Sequence, residues 1–300
     1  MKFGLNIINF GPGATPAAMR AQAEWAEACG FSLVMVSDHV AVTADVARAY
    51  PAPFYEPFTA LAWLAGITSS VELGTTVVIV PYRQPLLTAR MVANLDQLCD
   101  GRFIFGVGAG WARAEFDALN VPFERRGRLT DEYLVSMQAH WAADTLTVGA
   151  HVVHTLPRPV RQPHPPVWVG GHTAAAIRRT VAHGDAWHPL NVRLDWLADE
   201  GLPLMRREAE RLERPVPMFA PRIKVRLSAE PLDDAERRPG QGTLDQVRRD
   251  LAALQRLGAE YVVLDTYHGQ PQELLDTEET ERMLDVLTER AIDAAGEGLR

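Results

Sequence analysis

The apolar positions of this chain fall into short, continuous runs that alternate with longer segments of helical periodicity. The run at residues 33–36 contains no polar alternation, which is typical of a strand covered on both faces of a sheet. In the preceding segment, Thr15 can cap a helix that Pro16 begins and Gly30 ends, with apolar residues at helical spacing between them. The start of the chain therefore predicts strands of a parallel sheet with helices packed against them.

The same alternation continues to the end of the chain and predicts eight strands and eight helices. The strands are expected at residues 3–9, 32–37, 71–80, 102–107, 167–169, 185–188, 218–227 and 261–265. The helices are expected at residues 16–29, 58–69, 85–99, 130–141, 173–183, 194–212, 244–257 and 278–295. Eight βα units favour a (β/α)8 TIM barrel, because doubly wound sheets usually have about five to seven strands. We expect a single barrel domain over residues 1–300, with a short hairpin at residues 147–155.

Two loops are long for such a barrel, at residues 40–57 and 156–166. The first loop follows a strand, and the loops after strands lie on the catalytic face of a barrel. It is therefore a candidate lid or substrate wall. The alternative is a surface excursion that takes no part in binding.

Composition and charge narrow the choice of function. Hydrophobic residues make up 47% of the chain and charged residues 23%, as in an ordinary globular enzyme. The formal net charge of −8 disfavours a nucleic-acid or anionic-membrane partner, because both select for clustered positive charge. No apolar stretch reaches the ~18 residues of a membrane span, and no leader pattern opens the chain. We expect a cytoplasmic protein that acts on a small-molecule substrate, and we expect it to be a homodimer.

The polar residues that end each apolar run are the candidates for catalysis, because barrel enzymes use the carboxyl ends of their strands. Asp38 and His39 follow the second predicted strand, where a carboxylate can orient and an imidazole can transfer protons near neutral pH. The alternative is a helix-capping aspartate beside a surface histidine. The other strand-end candidates are Asn6, Asn9, Ser37, Thr75, Thr76, residues 106–111, residues 170–173, His188, Asp265 and His268.

Metal chemistry is not expected from this sequence. Cys29 and Cys99 have no metal-ligand spacing, and we interpret both as packing residues. The first predicted strand carries Asn6 and two isoleucines where metal-dependent barrel hydrolases usually have a His-x-His pair.

Two glycine-rich segments indicate where a ligand could lie close to the backbone. Gly170, Gly171, His172 and Thr173 follow a predicted strand and open a helix, an arrangement that suits a phosphate, although a tight βα turn would look the same. Residues 106–110 read Gly-Val-Gly-Ala-Gly, which lacks the spacing of a dinucleotide fingerprint. Small residues such as Gly108 at a strand end would instead let a flat ring approach the backbone.

Several segments of the chain form an ordered set of motifs: residues 37–39 (Ser-Asp-His), 73–78, 81–85, 95–103, 106–111, 165–171 and 184–189. Taken in order, these segments resemble the luciferase-like monooxygenase superfamily, and most closely its branch of deazaflavin (coenzyme F420)-dependent oxidoreductases. The resemblance covers about residues 1–190, and the remainder agrees only in architecture.

The resemblance implies a barrel with a flavin or deazaflavin ring over its mouth. It implies that a bulge of the third strand, often with a non-prolyl cis peptide, supports the ring at Thr76 and Val77. It places the cofactor phosphate at the glycine-rich turn of residues 170–173. It also implies that Asp38 lies near the ring and that His39 transfers a proton.

One position departs from the related sugar-phosphate dehydrogenases, which carry a catalytic glutamate where this chain has Trp111. Trp111 is either an apolar wall for a ligand or a packing residue beneath residues 116–123.

Four functions are compatible with these residues. The first is hydride transfer between F420 and a small organic substrate, and the alternative is an FMN-dependent monooxygenase. The third is a non-catalytic flavin-binding protein, although such a protein would not need the Asp38–His39 pair. The fourth is a sugar-phosphate aldolase or isomerase. Such an enzyme usually needs a lysine or glutamate base, and the only lysines are Lys2 and Lys224.

Overall fold

The main sheet consists of parallel strands whose order follows the chain. The computed structural model describes residues 1–271 and 277–300. In this part of the chain, ten strand segments form the sheet: Lys2–Asn6, Leu33–Val36, Glu72–Thr75, Val78–Ile79, Phe103–Gly108, Val167–Gly170, Ala186–His188, Met218–Phe219, Arg222–Lys224 and Tyr261–Asp265.

The sheet closes on itself through one interrupted strand. Met218–Phe219 pairs in parallel with Ala186–His188, and Arg222–Lys224 pairs in parallel with Tyr261–Asp265. Because the first and third of these segments belong to the same stretch of chain, that stretch joins the two edges of the sheet. The third strand is interrupted in a similar way, so the ten segments make eight barrel strands, as the sequence predicts.

The interruption of the third strand lies at Thr76 and Val77. Glu72–Thr75 pairs with Leu33–Val36, and Val78–Ile79 resumes the pairing with the fourth strand. The peptide bond between Thr76 and Val77 is cis. The bulge implied by the family resemblance is thus confirmed, and the continuous strand predicted over residues 71–80 is wrong at its centre.

Helices cover the outside of the barrel. Thr15 caps the first helix by accepting a hydrogen bond from Ala18 N, as its sequence predicts. In the described residues the α-helices are Pro16–Ala28, Ala44–Ala47, Pro57–Ala65, Pro85–Leu98, Arg113–Ala118, Arg126–Ala142, Ala174–His183, Leu194–Trp196, Leu202–Arg211, Leu244–Arg256 and Thr277–Arg290. None of them is both long and apolar enough to cross a membrane.

Several predicted boundaries differ from the structure. The helix predicted at residues 194–212 is divided by a π-helical turn at Leu197–Gly201. The last helix ends at Arg290 because Ile292–Asp293 pairs in antiparallel fashion with Gly298–Leu299. The predicted hairpin is confirmed slightly earlier than expected, as Thr145–Val148 with His151–His154. The short helix Arg113–Ala118 was not predicted, because six residues are too few to show helical periodicity.

The inside of the barrel is packed with side chains. Met35, Ile104, Trp168 and Val263 belong to one buried cluster contributed by different strands. A barrel filled in this way is a core rather than a pore, so its binding sites lie at the ends of the strands.

Candidate active site

A cavity of about 480 Å³ opens at the carboxyl ends of the barrel strands. It brings together residues that are distant in the sequence, and its lining includes every residue predicted from the sequence to bind or react. These are Asp38, His39, Thr76, Val77, Gly108, Gly170, Gly171, His172 and Thr173. Their individual roles stay predictions.

His39 forms a buried pair with Glu115. Its Nδ1 lies 2.6 Å from Glu115 Oε2, and the two side chains are 5% and 0% exposed. An ionised carboxylate can only accept a hydrogen bond, so Nδ1 carries the proton and donates it. Nε2 has no hydrogen-bond partner in the part of the chain that the structure describes, and the ring lines the cavity. The pair therefore leaves Nε2 for a ligand.

Glu115 is held by more than His39. Its Oε1 accepts hydrogen bonds from the backbone N–H groups of Val40 (2.6 Å) and Ala41 (2.9 Å), and Tyr82 donates its hydroxyl to Oε2 at 2.9 Å. Burial raises the pKa of this carboxyl, but the hydrogen bonds from His39, Ala41 and Val40 outweigh burial and lower it overall. Glu115 is therefore ionised at neutral pH, and burial beside this charge raises the pKa of Tyr82.

Glu115 is not among the residues predicted from the sequence. The predicted position directly after the glycine-rich segment is Trp111, whereas Glu115 comes four residues later in the short helix Arg113–Ala118. The signal that could have identified it is a carboxylate next to Phe116, because both residues are fully buried and a buried charge requires partners.

Asp38 takes part in a second buried ion pair. Arg83 NH1 and NH2 donate to its two carboxylate oxygens at 2.7 and 2.8 Å, and Ile79 N donates at 2.9 Å. Arg83 also donates to Glu56 at 3.0 Å. Because these donors occupy the Asp38 carboxylate, its geometry favours holding the segment after the third-strand bulge over contact with a substrate.

A chain of buried polar residues holds the bulge itself. Arg222 NH1 donates to Thr76 O at 2.7 Å and to Thr76 Oγ1 at 2.9 Å, while its Nε and NH2 donate to Asp265 Oδ2. Asp265 in turn accepts from Asn6 Nδ2 at 3.0 Å. His188 completes the chain, with Nε2 lying 2.9 Å from Thr76 Oγ1. The bulge is therefore fixed by residues of the first, sixth, seventh and eighth strands.

His188 differs from His39 in having both ring nitrogens engaged. Its Nδ1 lies 2.5 Å from the carbonyl oxygen of Ala220, which can only accept, so Nδ1 carries the proton and Nε2 accepts from Thr76. Burial lowers the pKa of His188 to about 4, and the nearby positive charge of Arg222 acts in the same direction. His188 is therefore a neutral structural residue at neutral pH.

The floor of the cavity has no room for larger side chains. A Cβ atom at Gly108 would lie 2.7 Å from Val77 Cγ2, and one at Gly170 would lie 3.1 Å from Val77 Cγ1. These glycines leave room for the Val77 side chain at the bulge. The support of a planar ring by Gly108 stays a prediction.

The other end of the cavity is basic and contains a helix start. Thr173 caps Ala174–His183 through a hydrogen bond from Ala176 N, and Gly171 adopts a φ of +101°, which favours glycine. Arg126 and Arg179 also line this end. Arg179 is paired with Asp131, whereas Arg126 forms no ion pair with a carboxylate within the described ranges. A helix start beside an arginine is a suitable environment for a phosphate.

Two other strand-end candidates have structural partners. Asn9 binds the backbone of Ser37 and Tyr55 through its side chain, and thereby joins the first two strand ends to the following loop. His268 Nε2 lies 3.0 Å from Val225 O. Neither residue lines the cavity.

Comparisons with known proteins identify the family of this chain. The family model for luciferase-like monooxygenases matches residues 1–294. An uncharacterized protein of Mycobacterium tuberculosis is 30% identical over 215 residues, which span 65% of this chain and 75% of the relative.

Two solved structures share the barrel. The monooxygenase RslO1 from Streptomyces bottropensis is 21% identical, with a TM-score of 0.74 over 96% of this chain and 98% of its own. An F420-dependent secondary alcohol dehydrogenase, solved with an F420–acetone adduct, is 16% identical, with a TM-score of 0.77 over 98% of both chains. Because the family match extends over almost the whole sequence and the barrel is shared, this chain belongs to the luciferase-like monooxygenase family.

Proposed function

We propose that this protein is an oxidoreductase that transfers a hydride between a deazaflavin of the F420 type and a small organic substrate. The observation that carries the proposal is the His39–Glu115 pair, which orients one ring nitrogen and leaves the other for a ligand in the cavity. Reduction of a carbonyl requires a proton at oxygen for each hydride at carbon, and an imidazole beside a carboxylate supplies it well near neutral pH.

The residues of the cavity fit such a cofactor. We propose that Val77, Gly108 and Gly170 support its flat ring, since a Cβ at either glycine would crowd Val77. The phosphate would be held by the backbone N–H groups that open the helix Ala174–His183, with Arg126 nearby. When bound, a deazaflavin supplies two-electron hydride chemistry with little reactivity toward oxygen.

The alternative is an FMN-dependent monooxygenase, for which the same ring support and phosphate site would serve. The known folds are compatible with both, because a monooxygenase and an F420-dependent alcohol dehydrogenase share the barrel. We prefer the deazaflavin because a proton donor at His39 matches hydride transfer to a carbonyl, and because the sequence motifs resemble the F420 branch.

Cofactor titration tests the phosphate site directly. Gly171→Asp places a carboxylate beside the proposed phosphate and should weaken F420 binding by at least about 100-fold. Gly171→Ala is the matched control, because it adds the same Cβ, 3.1 Å from Ala176 Cβ, without the charge. Equal dissociation constants for the Asp and Ala variants, measured by cofactor fluorescence, would mean that no anion binds here.

Parallel titrations with F420 and FMN then decide the class of enzyme. The proposal expects tighter binding of F420 and oxidation of its reduced form only when an organic acceptor is present. Tighter binding of FMN, with oxygen consumption by the reduced complex, would replace the proposal by the monooxygenase alternative.

A further inference from the structure

The loop at residues 40–57 is fastened over the cavity rather than free. Phe10 and Phe54 form an isolated antiparallel bridge, and Gly11 N donates to Pro51 O at 2.9 Å and to Pro53 O at 2.8 Å. The Tyr267 hydroxyl also contacts Ala49 O. A loop with backbone bonds to the first strand end forms a fixed wall, so its inner side chains have defined positions.

This wall is aromatic. Phe10 packs against Phe54 in a stacked arrangement at 5.3 Å between ring centroids, and against Tyr50 edge to face at 5.2 Å. Tyr50 in turn lies 5.2 Å from the His39 ring and 6.5 Å from the Trp111 ring. His39 and Trp111 approach each other edge to face at 5.8 Å. The His39 ring thus lies in a corner formed by two aromatic side chains.

Trp111 is 49% exposed although it lines the cavity. The sequence left open that Trp111 packs beneath residues 116–123. That packing does not account for the exposure, because the Trp111 ring contacts the rings of His39 and Tyr50. A large indole that is half exposed at a cavity gains its burial when a ligand covers it.

Two polar atoms of the rings at this corner have no hydrogen-bond partner in the described part of the chain. They are His39 Nε2 and the Tyr50 hydroxyl, and both residues line the cavity. The Tyr50 hydroxyl and a protonated His39 Nε2 can both donate to one carbonyl oxygen, because the two rings are 5.2 Å apart. For an alcohol, an unprotonated Nε2 accepts the hydroxyl hydrogen while Tyr50 donates to the alcohol oxygen.

The charges around this corner are already balanced. The carboxylate of Asp38 is paired with Arg83, that of Glu115 with His39, and that of Asp265 with Arg222. A cationic substrate would find no unpaired carboxylate among the lining residues. An anionic substrate would find Arg222 bound to Asp265, and Arg126 lies at the other end of the cavity, where the proposed function places the cofactor phosphate. An uncharged substrate avoids both costs.

We propose that the substrate is an uncharged aromatic ketone or the corresponding secondary alcohol. Its ring packs against Trp111 and Tyr50, and its oxygen binds His39 Nε2 and the Tyr50 hydroxyl. In reduction, the carbonyl carbon gains a hydride from the reduced deazaflavin while the oxygen gains the proton of His39. The ketone is reduced by two electrons and the deazaflavin is oxidised by two. The proposal rests on the proposed function for its reaction, but not for its binding site.

Matched ketones test the recognition of the ring. Acetophenone and cyclohexyl methyl ketone have similar size and the same carbonyl group, and only the first is aromatic. With reduced F420 in excess, kcat/KM for acetophenone should exceed that for the saturated ketone by about tenfold, because ring packing against two aromatic side chains favours the flat ring. The anionic analogue benzoylformate should be the poorest of the three.

Variants locate this preference in the structure. Trp111→Leu should reduce the ratio between the two ketones to about two, and Tyr50→Phe should lower kcat/KM for both ketones without changing their ratio. Trp63→Leu is the matched control, because Trp63 is a half-exposed tryptophan on the helix Pro57–Ala65 and does not line the cavity. An unchanged ratio in Trp111→Leu, or a preference for the saturated or anionic compound, would overturn the proposal.

Direct binding separates this proposal from the proposed function. Calorimetric titration of the protein with acetophenone needs no turnover, and Trp111→Leu should weaken that binding about tenfold while Trp63→Leu leaves it unchanged. If F420 fails to bind but acetophenone binding depends on Trp111, the proposed reaction fails and the substrate site stands. If F420 binds and acetophenone binding is the same in both variants, only the substrate site fails.

Discussion

Two histidines, His39 and His188, line the same cavity, and their surroundings give the two rings different hydrogen-bonding properties. His188 ends the sixth barrel strand, and both of its ring nitrogens are engaged, by Ala220 O and by Thr76 Oγ1. His39 follows the second strand, and among residues 1–271 and 277–300 its Nδ1 is paired with Glu115 while its Nε2 has no partner. His188 therefore holds the bulge of the third strand, while His39 Nε2 is left without a hydrogen-bond partner among the described residues.

The difference shows that exposure to a cavity does not by itself identify a catalytic histidine. The two rings are almost equally buried, at 6% exposure for His39 and 2% for His188. What separates them is the partner of the second nitrogen and the charge nearby, which is a carboxylate for His39 and a guanidinium for His188. The guanidinium of Arg222 opposes protonation of His188, in the same direction as burial.

The largest expected effect on turnover comes from replacing His39. His39→Ala should lower turnover by about 10²- to 10⁴-fold, because it deletes the proposed proton donor, and should leave cofactor affinity nearly unchanged. Stopped-flow measurement of F420 oxidation at saturating cofactor separates the two quantities. Weaker cofactor binding with normal turnover of the remaining complex would assign His39 a binding role instead.

His188, whose two ring nitrogens are both hydrogen-bonded, should affect the stability of the protein rather than proton transfer. The pKa of His188 is lowered to about 4 in the folded protein, whereas in the unfolded chain it has its ordinary value near 6.5. Between these two pH values the unfolded chain therefore binds a proton at His188 and the folded protein does not. Stability should therefore rise with pH between 4 and 6.5, with about 3 kcal/mol of that rise due to His188.

Urea unfolding of the wild type and of His188→Asn across this pH range isolates the contribution. The variant does not titrate at this position and retains a donor for Ala220 O, so its stability should change less with pH by about the same 3 kcal/mol. Parallel pH dependences in the two proteins would mean that His188 is already protonated in the fold.

A smaller effect is expected when the partner of His39 loses its charge. Glu115→Gln keeps the shape of the side chain, but its amide can present either an oxygen or an NH2 group to His39. Turnover should fall about 10- to 100-fold, as for other residues that orient a functional histidine. The pH dependence of turnover should also change at acidic pH, because an amide at this position does not titrate, whereas Glu115 does, with a pKa that its hydrogen bonds lower.

A merely structural Glu115 would give a different result. Glu115→Gln would then lower the free energy of unfolding while the pH profile of the surviving activity kept its shape. Glu115→Asp is a useful second variant, since it restores the charge on a shorter side chain and should recover part of the wild-type profile.

Local patterns in the sequence determined the elements of this barrel and the positions of the candidate site. Each of these patterns depends on residues only a few positions apart, so periodicity and composition are enough to predict it. Examples are the apolar run at residues 33–36, the Thr15 cap and the glycines of residues 170–171. Residues at strand ends are brought to one face by parallel pairing, so all nine predicted site residues line one cavity.

Only the tertiary structure decided which of these residues are free to react. His39 meets Glu115 across 76 positions, and Asp38 meets Arg83 across 45. The bulge at Thr76 is held by Arg222, which is 146 positions away. Such contacts exist only once the barrel has closed, and they depend on which strand lies beside which. Periodicity along the chain carries no record of that arrangement, because the hydrogen-bond partner of a buried group is chosen by distance in space.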